Sequence, residues 1–265
     1  MVPLAIVAQV IGSVALLTYC VDTEFTLWSI AASILYTILF KVMHLWLGNE
    51  TIEGYPKVAY YVSLLSQCVV LPSITCGLVW KHRHDFEGWL YGPHGAPERD
   101  PWRMAVFSSI AGAMMKDFWI YGDINEWFMV IHHFFSIYAC CFVSNATVFQ
   151  GHIALNGLQA ECLSFIYNVR VLWPSNTSRA IHCIVMTLSN FCGIICTYLY
   201  CTEVEDDALL YRKALYCLIS TALVAVRFAG ANESLQDIRK GPGSPTWGRA
   251  SRAPSPLKKT TISRR

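Results

Sequence analysis

An all-α bundle of about seven to eight transmembrane helices is the fold this sequence predicts, and three observations predict it. Hydrophobic residues fill 54% of the 265 positions against 14% charged, with a mean hydropathy of +0.40, far from the balance of a water-soluble domain. Several runs reach the ~18 to 20 apolar residues that cross a bilayer as helix. Period-two alternation is absent, which leaves helices rather than a closed barrel to satisfy backbone N–H and C=O groups in hydrocarbon.

The formal net charge of +2 is too small to mark a nucleic-acid partner. Membrane lipids are the expected partners, and a homo-oligomer is left open. The eleven cysteines lie mostly inside apolar runs, as at Cys140, Cys141, Cys192 and Cys196, where they act as small hydrophobes. Their spacings suggest no zinc or redox centre, so neither a metal nor a resident cofactor is expected.

Along the chain, residues 1–24 make a first apolar span and turn, residues 25–230 the main transmembrane domain, and residues 231–265 a disordered basic tail. The first run has no basic residue before it, which suits a span better than a secretory signal. Spans follow at about Phe25 to Leu47 and Val58 to Trp80, the latter with a kink expected at Pro72. The loop from Lys81 mixes both charge signs with Gly, Pro and three histidines and reads as water-exposed. His82, His84 and Asp85 there lack a fuller metal-ligand pattern. Trp80, Trp89 and Trp102 suit an interfacial aromatic belt.

Later spans are expected at about Trp102 to Tyr121, Glu126 to Val148, His152 to Trp173, Arg179 to Cys201 and Ala208 to Phe228. The sixth is the most polar. At roughly 100° per residue, its His152, Asn156 and Gln159 share one face, while Glu161, Ser164 and Asn168 share the other, which is placed toward the bundle interior. The tail has no acidic residue after Asp237 and cannot build a core. Its cations, with Lys41, Lys116, Arg170 and Arg227 read at alternate helix ends, put the C-terminus in the cytoplasm of an integral membrane protein, the endoplasmic reticulum being favoured over the plasma membrane. Asp22 to Glu24 and Glu203 to Asp207 then face the other side.

Met115 to Val143 carries the chemistry. Its two apolar runs break at Tyr121-Gly122-Asp123 and hold Lys116, Asp117, Glu126, His132 and His133. Ionisable groups are tolerated in hydrocarbon chiefly where they face a bundle interior or a wet cavity beside a partner, so each is a functional candidate. Glu126 and His133 are nearly eclipsed on their helix, whereas His132 points about 100° away, one turn below Ser136. An imidazole serves as general base or nucleophile, and a nearby carboxylate fixes its tautomer and stabilises its cation. Asp117 and Glu161 are the carboxylates on offer, and at least one is expected within hydrogen-bonding reach of an imidazole. Ser136, Ser164, Asn168 and Tyr121 are candidate substrate-binding groups. In the opposing reading, the same side chains merely hydrogen-bond between helices and fix their packing. A di-iron lipid hydroxylase would need many more paired histidines than this one His-His.

The Asp of MMKDFWIYGD (Asp117), the His pair of MVIHHFFSI (His132, His133) and the polar run of ECLSFIYNVR (Glu161, Asn168, Arg170) occur in an order and spacing that resemble the TLC-domain family. This family of multi-spanning membrane proteins includes the ceramide synthases. The resemblance covers the second to the eighth span. It implies a role in membrane lipid homeostasis, and it lends His132 and His133 a part in acyl transfer, with acyl-CoA as the co-substrate. Ceramide synthases have a basic R-x-D-F element before the pair and an H-D-x-S-D cluster after it, where this chain has Asn125-Glu126-Trp127-Phe128 and Ala154 to Ala160. The chain therefore looks closer to the less-characterised branch. A sphingolipid N-acyltransferase and a non-catalytic membrane or trafficking protein remain the alternatives.

Overall fold

Helix starts and stops follow the polar punctuation between the apolar runs. Helix α2 (Thr23–Leu47) begins where the Asp22 carboxylate accepts the Phe25 N–H at 2.7 Å and ends at Gly48, whose left-handed φ of 74° lets its N–H return to the His44 carbonyl. Before it runs α1 (Leu4–Cys20), and after it two residue pairs, β1 (Thr51–Ile52) and β2 (Tyr55–Pro56), form a minimal antiparallel hairpin. The computed structural model describes residues 4–52, 55–91, 100–120, 127–145, 149–203 and 210–240, and about 90% of these are helical.

The rod Lys57–Lys81 is built from α3 (Lys57–Leu65), a π-helical turn (Ser66–Val70) and α4 (Leu71–Lys81). Pro72 has no N–H to give the carbonyl one turn back, and the ladder widens just before it, with the Leu71 N–H reaching the Ser66 carbonyl. The expected kink is thus a π turn. Beyond it, Lys81 and Arg83 to Glu87 are exposed, in line with the reading of that loop as water-exposed, but the short helix α5 (Phe86–Tyr91) carries one exception. Its Trp89 is buried, stacks on His82 at 4.7 Å and lies where Gly151 leaves room for the indole. Trp80 and Trp102 are exposed, so only Trp89 departs from the aromatic-belt expectation.

Helix α6 (Pro101–Ile120) is the centre of the bundle, with most of its residues buried. It crosses α2 at Gly112, where a Cβ would fall 2.6 Å from the Ser29 carbonyl, so only glycine permits this approach. Antiparallel to α6 lies α7 (Trp127–Ser144), then come α8 (Gln150–Leu163) and α9 (Phe165–Leu172). The expected single sixth span is therefore broken at Ser164, whose N–H turns back to the carbonyls of Glu161 and Cys162. Helices α10 (Asn176–Glu203) and α11 (Leu210–Lys240) pack along each other.

Four rods, α2, the α3–α4 rod, α10 and α11, are long and apolar enough to cross a membrane. They present Leu35, Trp46, Ile184, Leu188, Ile195 and Leu218 outward, an apolar exterior suited to lipid. Among the described residues these four meet the length and hydropathy of a span, short of the seven to eight expected.

Three further expectations are corrected. Helix α11 continues to Lys240 with Ala231 and Ser234 buried, so residues 231–240 belong to the bundle and not to the tail. Lys116 and Arg170 stand near helix ends as read, but Arg227 lies in the middle of α11, and all three are buried inside the bundle. The stripe of His152, Asn156 and Gln159 also faces inward, bonding the Cys196 carbonyl, Tyr216 and Ser189 of α10 and α11. The tail beyond Lys240, the Gly122-Asp123 turn and the 204–209 connection lie outside the described residues.

Candidate functional site

A cavity of about 1110 Å³ opens inside the bundle. Helices α6 and α7 supply one wall and α10 and α11 another, with α8, α9, the π turn, Tyr36 of α2 and Val62 and Ser63 of α3 completing the lining. The last two helices thus enclose the cavity together with those that carry the His pair and the Glu161 stripe. His132, His133, Asp117, Glu161, Ser136, Ser164 and Asn168 all line it. Tyr121 and Glu126 lie outside the described residues.

The centre of the polar wall is a short relay. Buried Lys116 donates to one oxygen of Asp117, and His133 Nε2 meets the other at 3.0 Å. Asp117 stands one turn from the end of α6 and His133 in the second turn of α7, so two antiparallel helices joined by a short connection bring them face to face. The His133 ring is held edge-on against Phe118, at 5.4 Å between centroids. His132 sits beside it at 5.6 Å and makes no hydrogen bond to another described residue. Its ring is therefore available to whatever enters the cavity. Lys116 thus sets a cation directly beside the Asp117 carboxylate.

A second polar cluster is centred on Gln67, which the π turn places on the cavity wall. Its Nε2 donates to Glu161 Oε1 at 3.2 Å, and its Oε1 accepts Asn168 Nδ2 at 2.8 Å. Neither contact is with a histidine, so Glu161 and Asn168 form a different group from the Asp117–His133 pair. Above it Arg227 reaches from α11 to the break in α8, donating to Ser164 Oγ at 2.8 Å, to the Ala160 carbonyl, and to Ser189 Oγ at 2.6 Å. Arg227 thus ties three helices together around the uncapped carbonyls of the Ser164 break. Glu161 and Arg227 line the same cavity.

Gln67, Arg227 and Asn190 were missed by sequence reasoning. Arg227 carried a signal, as a lone cation in the apolar run ALVAVRFAG, but was read as a helix end. Gln67 had a fainter one, an amide shortly before Pro72. Asn190 lines the cavity with its Oδ1 buried and lacking a hydrogen-bond donor.

Chemically, the wall offers an imidazole open to the cavity, a second imidazole oriented by a carboxylate, and several amides within an otherwise largely apolar lining. That combination can receive a polar group attached to hydrocarbon and move a proton at it. Among the described residues no group of three or more His, Cys, Asp or Glu side chains is placed to hold a metal ion. The His82, His84 and Asp85 loop has other employment, since His82 Nε2 meets Asp100 at 2.8 Å and Asp85 accepts the Gly88 N–H. No family model, curated protein or solved structure matches the chain, so the site's own chemistry must carry its function.

Proposed function

We propose that this chain is a multi-pass membrane protein of the TLC-domain kind that takes a lipid into the cavity and acts in membrane lipid homeostasis, by lipid binding or by acyl transfer at the His pair. The observation that carries the reading is the cavity of about 1110 Å³ with both histidines on its wall. In this reading about seven to eight hydrophobic segments cross the bilayer of the endoplasmic reticulum, the polar ones shielded by the four apolar rods, and the C-terminus is cytoplasmic.

On the wall Lys116 is paired with Asp117, and Arg227 is engaged by Ser164, Ser189 and the Ala160 carbonyl, so the site offers hydrogen bonds more than an open charge. A lipid with an uncharged or internally balanced polar head fits that inventory. In acyl transfer, the open His132 takes the proton from the attacking lipid hydroxyl or amine. The new bond forms to the acyl carbonyl carbon, the thioester of acyl-CoA breaks, and the coenzyme A thiolate regains the proton. Asp117 and His133 act as the orienting pair beside it.

One observation favours a second, non-enzymatic reading. Asp117 divides its two oxygens between Lys116 and His133, and a carboxylate already neutralised by an ammonium gives less support to an imidazolium. The cavity would then hold a lipid without changing it.

Lipid profiling of cells that lack the chain and are complemented with wild type, His132→Ala or His133→Ala tests the proposal. A lipid change restored by wild type and by neither variant at equal abundance supports acyl transfer. Restoration by both variants, with lipid still co-purifying, supports binding alone. Absence of both a lipid change and a co-purifying lipid overturns the proposal.

A further inference from the structure

Tyr216 lines the cavity, and Tyr200 packs behind it. Their rings meet edge-on at 4.8 Å, Tyr216 stacks on Phe142 at 5.7 Å, and its hydroxyl accepts Asn156 Nδ2 at 2.5 Å. Both tyrosines are almost fully buried, a packed plug at the cavity wall between α7, α8, α10 and α11. The residue following each tyrosine is a cysteine.

Cys201, in the last turn of α10, and Cys217, in the second turn of α11, bring their Sγ atoms to 3.2 Å. That separation is sulfur-to-sulfur contact across two antiparallel helices. A disulfide requires about 2.05 Å, so an approach of about 1 Å completes the bond, within the reach of a χ1 rotation. Neither thiol is sealed in the core, since both are partly exposed. The pair is thus close, accessible and placed directly behind the plug.

We infer that Cys201 and Cys217 form a disulfide in the membrane-resident protein, a latch that fixes the α10–α11 hairpin and holds the Tyr200–Tyr216 plug against the cavity wall. The inference rests on the orientation proposed above, which puts this hairpin end on the oxidising, non-cytoplasmic side. The oxidant is a disulfide of the thiol–disulfide exchange class. The thiolate of one cysteine attacks it and releases one of its sulfurs as a thiolate; the second cysteine then displaces the other. One S–S bond forms as one breaks, two electrons pass to the oxidant, and the two thiol protons leave with it as a dithiol. Once closed, the bridge spans a short loop and restrains both tyrosine backbones. Reduction would free the hairpin end and loosen the plug without touching the His pair.

The test uses the full chain in native membranes, denatured in excess N-ethylmaleimide, then reduced, treated with iodoacetamide and mapped by peptide mass spectrometry. The expected result is that Cys201 and Cys217 both carry the second label and that an unreduced digest contains the linked peptide pair. In Cys201→Ser, Cys217 should switch almost completely to the first label. Both wild-type cysteines carrying the first label, or either one linked elsewhere, overturns the latch. If the thiols prove free, a glycosylation acceptor inserted between residues 203 and 210 separates the causes. A glycosylated insertion means that the disulfide alone was wrong, whereas an unglycosylated one overturns the proposed orientation as well.

Discussion

Lys116 is nearly fully buried and its counter-charge is Asp117, itself shared with His133. Asp117→Asn removes the anion while leaving the ammonium inside, and breaking a buried pair from one side costs on the order of 3–5 kcal/mol. Protein abundance and thermal stability in detergent should therefore fall. The double variant Asp117→Asn with Lys116→Met should recover much of both, which a thermal-shift comparison of the two purified proteins will read. His132→Ala has the opposite signature, because His132 bonds no other described residue: stability should hold while lipid function is lost. The Asp117 and His133 contact was legible in the sequence because both stand in apolar runs on either side of a short turn, so antiparallel packing leaves them few other partners. Gln67 was not, since nothing in the run SLLSQCVVLP says which way an amide faces until the π turn fixes it. Outside the spans, Asp100 is pulled two ways: burial disfavours its charge, but His82, the Trp102 N–H and Lys81 hold its carboxyl below the usual range. A depressed folded value stabilises the protein above the unfolded one, and that contribution is lost as pH falls through the folded value. Asp100→Asn should flatten the acid limb of a stability-versus-pH curve while leaving activity at neutral pH in place.

Among the helices, the π turn is the element that joins the backbone to the site. Pro72→Ala restores an N–H that can bond one turn back, so the widened ladder can relax to regular α-helix. The relaxation would rotate Gln67 away from Glu161 and Asn168. Lipid binding should weaken with little change in abundance, and the change should resemble that of Gln67→Leu; co-purified lipid per mole of protein is the readout. At the α2–α6 crossing, by contrast, Gly112→Val should lower abundance sharply, since the new side chain meets the α2 backbone, which cannot step aside like a flexible side chain. Ends of elements were less legible than their existence. The break at Ser164 has no Pro or Gly to announce it, and its carbonyls are satisfied by Arg227, a residue 63 positions later. The extension of α11 to Lys240 was hidden because its last turns are polar, yet Arg179 meets Asp237 and Arg170 meets Glu233, each at 3.7 Å. These contacts hold the last turns of α11 against α9 and α10.

For the whole molecule, composition was sufficient to announce a helical membrane protein and insufficient to count its spans. The difficulty is physical: the central helices carry Lys116, Asp117, His133 and Arg103, and a helix rich in such groups does not look like a lipid-facing one. Its surroundings are other helices. Phe149, at φ 53°, and Asn145, which donates to the Cys20 carbonyl, further show how the end of the bundle is set by contacts remote in sequence. With its amide so engaged, Asn145 is a poor glycosylation acceptor despite the sequon it begins. The arrangement of apolar rods around a polar centre also bears on how the chain is made. Taken alone at the membrane centre, Lys116 and Asp117 would each cost roughly 2.5–3.5 kcal/mol on an insertion scale, so α6 is a reluctant entrant to the bilayer. Helix α2 is translated first, and its surface around Ser29 and Ser33 is the one that Gly112 fits. Synthesis order thus supplies a docking partner before the difficult segment leaves the ribosome. Presented singly to a translocon reporter, Pro101–Ile120 should insert inefficiently, and placing Thr23–Leu47 ahead of it should raise the inserted fraction, a gain that Gly112→Val should cancel.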